Sequence, residues 1–461
     1  MSPTARVLLG LASGAALGIG LALWNPSLAA SAASLVQPIG RLWLNALQMT
    51  VVPLVVALVV VGVAATSDAA ASGRTARRAM VVFLVLLSAG AAFAAFWAPF
   101  QLTFLPRDPA LIESFRAAVG TPTAVSGAPP SFGDWFTAII PSNAIAAAAQ
   151  NAMLSLVVFA LFFGFALTRI AAPRRAQAVE LFQTLAETMV VIVRWVLWAA
   201  PLGVFALALT VCVNAGVSVL SALGWYILAQ CGLYLLVTLA LYAVAVLGGG
   251  QSLRRFAAAI VPAQVIAVST QSSLATLPAM VETAQTRLGC AREVTSLVLP
   301  MAVSLFRMTS PVQYIGVSSY IAWIYGVDLP APQLAVAAAL AVVISLGSVG
   351  LPGQVSLMAM NMPVVQSLGL PIAPLGLMLA VETIPDAFAT LGNVTGDLAA
   401  TTVVSRSVGA AAQPLATADG AGIATRTEAT DSSAPRASDG RGCGDGIAVP
   451  PASVTESSVD P

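Results

Sequence analysis

The sequence predicts an all-α protein that crosses a membrane many times. Two observations carry that expectation. Of 461 residues, 58% are hydrophobic and only 8% are charged, against about 25% charged in an ordinary soluble domain. The apolar residues also fall in runs near the ~20 residues that a helix needs to cross a bilayer, and the mean hydropathy is +0.91. The same scarcity of charge excludes a cytosolic globule, a disordered chain and a nucleic-acid binder, because no basic surface can be assembled. All basic residues are Arg and there is no His, so the commonest metal ligand and general base is missing.

The elements follow in order. Residues 7–24, 36–66, 80–103, 136–168, 177–212 and 217–249 each read as a spanning helix. The first run, Val7 to Trp24, follows Arg6 and holds no charge. Ala29 to Ala33 imitates a signal-peptidase site, but with so many apolar runs behind it this is a first span and not a cleaved leader. Past residue 250 the pattern loosens. Runs near 256–290, 294–323, 332–370 and 374–405 are long but interrupted by Gly, Pro, Ser and Thr. Arginines set the orientation. Arg74, Arg77 and Arg78 follow the second span, Arg169, Arg174 and Arg175 the fourth, and Arg254 and Arg255 the sixth. Cytoplasmic loops concentrate such residues, so the N-terminus and these loops are expected on the cytoplasmic side.

Residues 408–461 differ in kind. They are Ala, Ser, Thr, Gly and Pro with seven acids and three Arg, and they read as a disordered cytoplasmic tail. Cys212, Cys231 and Cys290 lie in apolar stretches and Cys443 lies in the tail. They share no metal or redox spacing and read as small buried hydrophobes.

Four polar constellations interrupt the last apolar stretches, where charge is costly and usually functional. The first is Ser269-Thr270-Gln271-Ser272-Ser273, between apolar flanks each about half a bilayer long at ~1.5 Å per residue. A re-entrant hairpin fits, and the free amides of such a tip can hold an anion. An ordinary helix whose hydroxyls bond back to its own carbonyls is the plainer alternative. The second is Gly347-Ser348-Val349-Gly350-Leu351-Pro352-Gly353, which no helix can pass through. Two interrupted segments in corresponding places point to a transporter binding site, while an external loop is the alternative. The third is Arg307, about 21 Å from Glu293 along a helix and followed by Met308-Thr309-Ser310-Pro311, which should unwind the chain. It needs an acidic partner or an anionic ligand. The fourth supplies acids: Glu382, Asp386, Thr390, Asn393 and Asp397 step by 4, 4, 3 and 4 and share an arc of about 80° on one helix. A purely structural seam between helices is the alternative.

These residues resemble the dicarboxylate/amino acid:cation symporters, the glutamate transporter homologues. The likeness covers residues 5–407. Met49-Thr50-Val51-Val52-Pro53-Leu54-Val55 resembles the family's second span. Pro141-Ser142-Asn143 with Asn151-Ala152-Met153-Leu154 resembles the fourth. Ser269–Ser273 with Ala275-Thr276-Leu277-Pro278 resembles the first hairpin tip, Gly350-Leu351-Pro352-Gly353 the second, and Asn393-Val394-Thr395-Gly396-Asp397 the eighth span. The resemblance implies eight transmembrane helices plus two re-entrant helical hairpins, in a homotrimer in a bacterial-type inner membrane with both termini cytoplasmic. Residues 1–249 would be mainly scaffold and 250–407 the mobile core, moving a small amino acid or dicarboxylate by an elevator-like shift.

By the same resemblance, Ser272, Ser273, Ser310, Gly350, Pro352, Gly353, Asp386, Thr390 and Asn393 would bind substrate. Asp386 would hold an amino group, and Asn393 and Asp397 would hold sodium. Glu382 and Asp397 would serve as coupling-ion or charge partners. No cofactor is implied beyond sodium or protons as coupling ions. The chain departs from the family in its seventh span, where Asn-Met-Asp-Gly-Thr becomes Phe306-Arg307-Met308-Thr309-Ser310, so two sodium-binding oxygens are lost. The Arg that reads a side-chain carboxylate in acidic-substrate members is Ala389 here. Arg307 is therefore expected to stand in for a bound cation beside Asp397 and to grip a carboxylate. Sodium coupling should weaken, with Glu382 or Asp386 carrying protons instead. A neutral or small amino acid is favoured over a dicarboxylate. The rival reading is a passive anion channel or a non-transporting sensor that kept the fold. An enzyme is not expected, because no His, metal set or Ser–base pair is present.

Overall fold

The computed structural model describes residues 3–71, 73–105, 137, 139–216, 218–347 and 353–412, and all elements among them are helical. The first spans are α1 (Pro3–Trp24), α2 (Pro26–Gln48), α3 (Val51–Ala71) and α4 (Arg74–Leu102). Then come the short α5 (Ala144–Ala149) and α6 (Met153–Leu167), followed by α7 (Ala172–Trp198), α8 (Ala200–Ala215) and α9 (Ser218–Leu247). Six helices are long and apolar enough to cross a membrane among the described residues, or seven if one bent pair counts as a single span.

Small residues set how closely these helices approach. Gly10, Gly14 and Gly18 repeat every four residues on α1, and a Cβ on any of them would run into a backbone carbonyl of Pro201, Phe205 or Leu209 on α8. With lipid as apolar as the side chains, such close backbone contact drives helix association. α8 also packs on α2, and α3 packs on α6 and α7.

The first 249 residues divide in their packing. α4 and α9 pack mainly against the second half of the chain. α4 also touches α3, and α3 in turn packs on the later helices Ala331–Gly347 and Gly353–Ser367 of that half.

That second half begins with a helical hairpin, α10 (Leu253–Thr270) and α11 (Ser273–Glu282), joined by the two residues Gln271 and Ser272. Gln271 sits in the left-handed region at φ 52°, and a single residue there lets the chain reverse. A π-helical turn over Thr283–Arg287 follows, then α12 (Arg292–Leu305) and α13 (Thr309–Tyr325). α14 (Ala331–Gly347) and α15 (Gly353–Ser367) flank the second Gly-rich interruption. Residues 348–352 lie outside the described residues, and so do the tip residues Gly350 and Pro352; Gly353 opens α15. The chain ends in α16 (Ala373–Val381) and α17 (Thr383–Ala412), bent by 77° at their junction. α17 continues through residues 408–412, and the rest of the expected tail lies outside the described residues.

Arginines reach carbonyls at one end of this half. Arg78 donates to Ser407 O at 2.9 Å, Arg406 to Leu247 O at 3.1 Å and Arg255 to Arg287 O at 3.0 Å. Leu247 and Arg287 end their helices, where a carbonyl lacks an intrahelical partner, while Ser407 lies within α17. On the six-span half, Arg175 meets Asp68 at 3.1 Å. Both partners are solvent-accessible, so this pair contributes little.

Candidate functional site

Two helix breaks and one hairpin tip converge. The first break separates α12 from α13 at Phe306, Arg307 and Met308, where Phe306 is extended at φ −119° and ψ 81°. Pro311 favours the break: it lacks an amide proton, and its ring crowds a helical carbonyl at residue 307. The expected unwinding is therefore present. The second break, at Glu382, is favoured in the same way, with Pro385 the third residue of α17 and its ring directed against residue 381.

The first break is walled by carbon. Phe306 stacks on Phe83 of α4 with ring centroids 4.7 Å apart. Met308 fills the space over Gly90 of the same helix, where a Cβ would collide with its methyl group. Phe306 and Met308 are thus packed into the α4 interface. Gly392 lets α17 approach the start of α13, because a Cβ there would meet Thr309 Cγ2. Asn393 uses that approach: its Oδ1 accepts from Thr309 N and Thr309 Oγ1, both at 2.9 Å. Its side-chain oxygen is spent on capping α13, and its amide nitrogen is left for other partners.

Arg307 is half-buried, and its charge acts on both Asp386 and Asp397. Direct pairing with Asp397 is not formed. Asp397 is fully buried, and neither carboxylate oxygen has a hydrogen-bond partner. Its neighbour Gly396 faces Met308 Cβ and the Phe306 ring. The guanidinium therefore acts on Asp397 through space, against the larger cost of burying that carboxylate. An orphaned buried carboxylate suits a small cation or a proton; among the described residues no three His, Cys, Asp or Glu side chains gather to hold a metal ion.

Asp386, Thr390, Asn393 and Asp397 lie on α17, and Glu382 is the residue just before it, at the 77° bend. Its backbone is still helical at φ −58° and ψ −28°, and Asp386 N donates to Glu382 O at 2.8 Å, so the four-residue step to Asp386 survives the bend. Thr390 Oγ1 donates to Asp386 O at 2.9 Å within that helix. Asp386 is half-buried and Ser310 is buried. At the hairpin tip Ser272 Oγ caps α11 by accepting from Ala275 N at 3.2 Å, and half-buried Ser273 is the first helical residue. The hairpin geometry holds, while one of the amides expected to be free for an anion is already used.

Sequence reasoning missed the partners of Glu382. Tyr226 of α9 donates to it at 3.0 Å, and Gln313 of α13 donates to its other oxygen. Gln271 of the tip donates to Thr383 O at 2.9 Å, and Gln264 of α10 reaches Thr395 Oγ1 at 2.9 Å and Tyr242 OH at 3.0 Å. The available signal was isolated Gln and Tyr inside apolar runs, which must find partners in a membrane.

Comparison with known proteins decides the family. The profile of the sodium:dicarboxylate symporter family matches residues 4–407. The chain belongs to that family. Among relatives of this symporter-family protein is the proton/glutamate-aspartate symporter of Escherichia coli (strain K12), 27% identical over 81% of this chain and 85% of that protein. Another is the proton/sodium-glutamate symport protein of Bacillus subtilis (strain 168), 26% identical over 87% of this chain and 91% of that protein. The neutral amino acid transporter B(0) of Oryctolagus cuniculus is 28% identical over 84% of this chain and 76% of that protein. The family comprises transporters and not enzymes. This member is a multi-pass membrane protein of the symporter class.

Proposed function

We propose that the protein is a cation-coupled symporter for a small zwitterionic amino acid, with reduced dependence on sodium. The observation that carries this reading is the break between α12 and α13. There Phe306 and Met308, which stand where the resemblance implies two cation ligands, are packed against α4, and the charge of Arg307 acts on Asp386 and Asp397. A substrate carboxylate suits Arg307, and an ammonium group suits Asp386. Ala389 offers no second cation for another carboxylate, which favours an amino acid over a dicarboxylate. Ser272, Ser273, Ser310, Thr390 and the Asn393 amide would complete the pocket, with Gly350, Pro352 and Gly353 of the second tip closing it.

In this reading α1–α3 and α5–α8 hold still in a homotrimer in the inner membrane, with both termini cytoplasmic. The second half of the chain, with α4 and α9, carries substrate across by an elevator-like shift. Its support is the packing of α4 and α9 against the core.

Purified protein in vesicles, offered labelled L-serine and L-aspartate with and without external sodium, tests the reading. Accumulation of L-serine above equilibrium with little response to sodium is the expected outcome. A steep sodium dependence overturns the role given to Arg307, and flux that only equilibrates makes the protein a passive route.

A further inference from the structure

Three acids and one cation share the interior of the core. Arg307 acts on Asp386 and Asp397, but it is not among the groups acting on Glu382. Glu382 is only 1% exposed. Its two hydrogen bonds come from neutral donors, Tyr226 and Gln313. The charge that reaches it is the like charge of Asp386, one turn along the chain. From α9 it also faces Tyr226, Cys231 and Tyr234, none of which brings positive charge. Tyr320 of α13 lies behind Tyr226 with ring centroids 5.6 Å apart. α16 carries no titratable side chain, and α10 contributes the neutral Gln271.

A lone carboxylate in such a place carries a large desolvation cost, which a proton removes. Tyr226 and Gln313 can stay bonded to either protonation state, because a hydroxyl can turn from donor to acceptor and a protonated carboxyl keeps an acceptor oxygen. Access is built in as well. The tip residue Gln271 is bonded to Thr383 O, immediately beside Glu382, so opening of the tip exposes the break to water. Half-buried Asp386 lies one turn further along α17.

We propose that Glu382 is a proton-binding site of the carrier, filled and emptied at the junction of α16 and α17, and that its proton rather than one on Asp386 supplies the coupling. The step is a simple transfer: water on one side gives up a proton, an O–H bond forms on the Glu382 carboxylate, and the same bond breaks to water on the other side. The coupling role rests on the reading of the chain as a carrier; proton binding by Glu382 does not.

Infrared difference spectroscopy of the purified full chain during acidification tests the site without any substrate. A carbonyl band of a protonated carboxyl should grow as pH falls, vanish in Glu382→Gln and persist in Asp386→Asn. Tyr226→Phe should keep the band and move its frequency, since one hydrogen bond is gone, and Glu382→Asp should retain a displaced band if the Gln variant proves unstable. In vesicles loaded with the same protein, an inward gradient of one pH unit should multiply labelled L-serine accumulation about tenfold per coupled proton, and Glu382→Gln should abolish that response. A band untouched by Glu382→Gln, no band at all, or a band fixed at every pH overturns the proposal. A gradient response surviving in Glu382→Gln overturns the coupling role. If no probe accumulates in any of these proteins, the carrier reading fails and the infrared result still decides Glu382.

Discussion

The two helix breaks share one proline placement and have opposite contents. Each lies just ahead of a proline that is the third residue of the next helix, Pro311 in α13 and Pro385 in α17. At the first break the flanking side chains are carbon, packed on Phe83 and over Gly90 of α4, and the charge is a half-buried Arg307. At the second the charge is a fully enclosed Glu382 held by Tyr226 and Gln313. The backbone device is the same, a proline in the first turn of the following helix. Pro262 and Pro300, however, sit inside helices that do not break, so proline alone does not decide where the chain unwinds. What the unwound residues do is decided by which neighbours receive them. Asp397 stands between the two cases, buried like Glu382 but with both oxygens unpartnered.

The contrast can be pressed hardest at Arg307. Arg307→Gln removes the only cation acting on Asp386 and Asp397 among the described residues. Amino acid uptake should fall about 100-fold, which corresponds to ~2.7 kcal/mol; uptake within a few-fold of the native rate would mean that the guanidinium is structural. The reverse experiment converts one kind of break into another. Phe306→Asn together with Met308→Asp returns two oxygens to the carbon wall, and sodium should then stimulate uptake about tenfold, or ~1.4 kcal/mol. A double variant still indifferent to sodium would show that carbon at these positions is not what weakens the site.

Stability separates the two buried carboxyls. Gln313→Leu leaves Glu382 with one donor and should cost about 1–3 kcal/mol, the usual penalty for a buried polar group that loses its partner. Asp397→Asn should change thermal stability in the opposite direction, raising the melting temperature, because it deletes a buried charge that no donor satisfies. Equal losses in both variants would contradict the difference in partners. The smallest effect is expected at the tip. Gln271→Ala deletes the bond to Thr383 O, worth about 1 kcal/mol, and should raise the apparent KM for substrate about fivefold with a smaller change in maximal rate.

Much of the fold was legible because membrane spans announce themselves. A helix in lipid must be long and apolar and must satisfy its own backbone. The runs at 7–24, 80–103 and 217–249 therefore coincide with α1, α4 and α9. The reversal near Gln271 was legible because a short polar stretch stands between apolar flanks each about half a bilayer long, and the unwinding before Pro311 because proline disfavours a continuous helix. The left-handed shape of Gln271 itself was not legible. The spacing of the polar stripe was legible, since Glu382 keeps a helical backbone bond with Asp386, but the 77° bend that sets Glu382 at a helix junction was not. Tyr226 and Gln313 escaped because they stand 156 and 69 residues away from Glu382 in the chain, and no local pattern links them.

Taken alone, the sequence determined the family, several of the spans and the unwinding before Pro311, because these follow from hydropathy, from proline chemistry and from ordered motifs. The runs 36–66 and 177–212, read as single spans, each divide between two helices. Only the tertiary structure decided which acid each cation or donor meets. It gave Glu382 to Tyr226 and Gln313, spent the Asn393 oxygen on Thr309 and left Asp397 without a hydrogen bond. The reason is range. Backbone conformation is set over a few residues, whereas the state of a buried charge depends on helices that only folding brings alongside it.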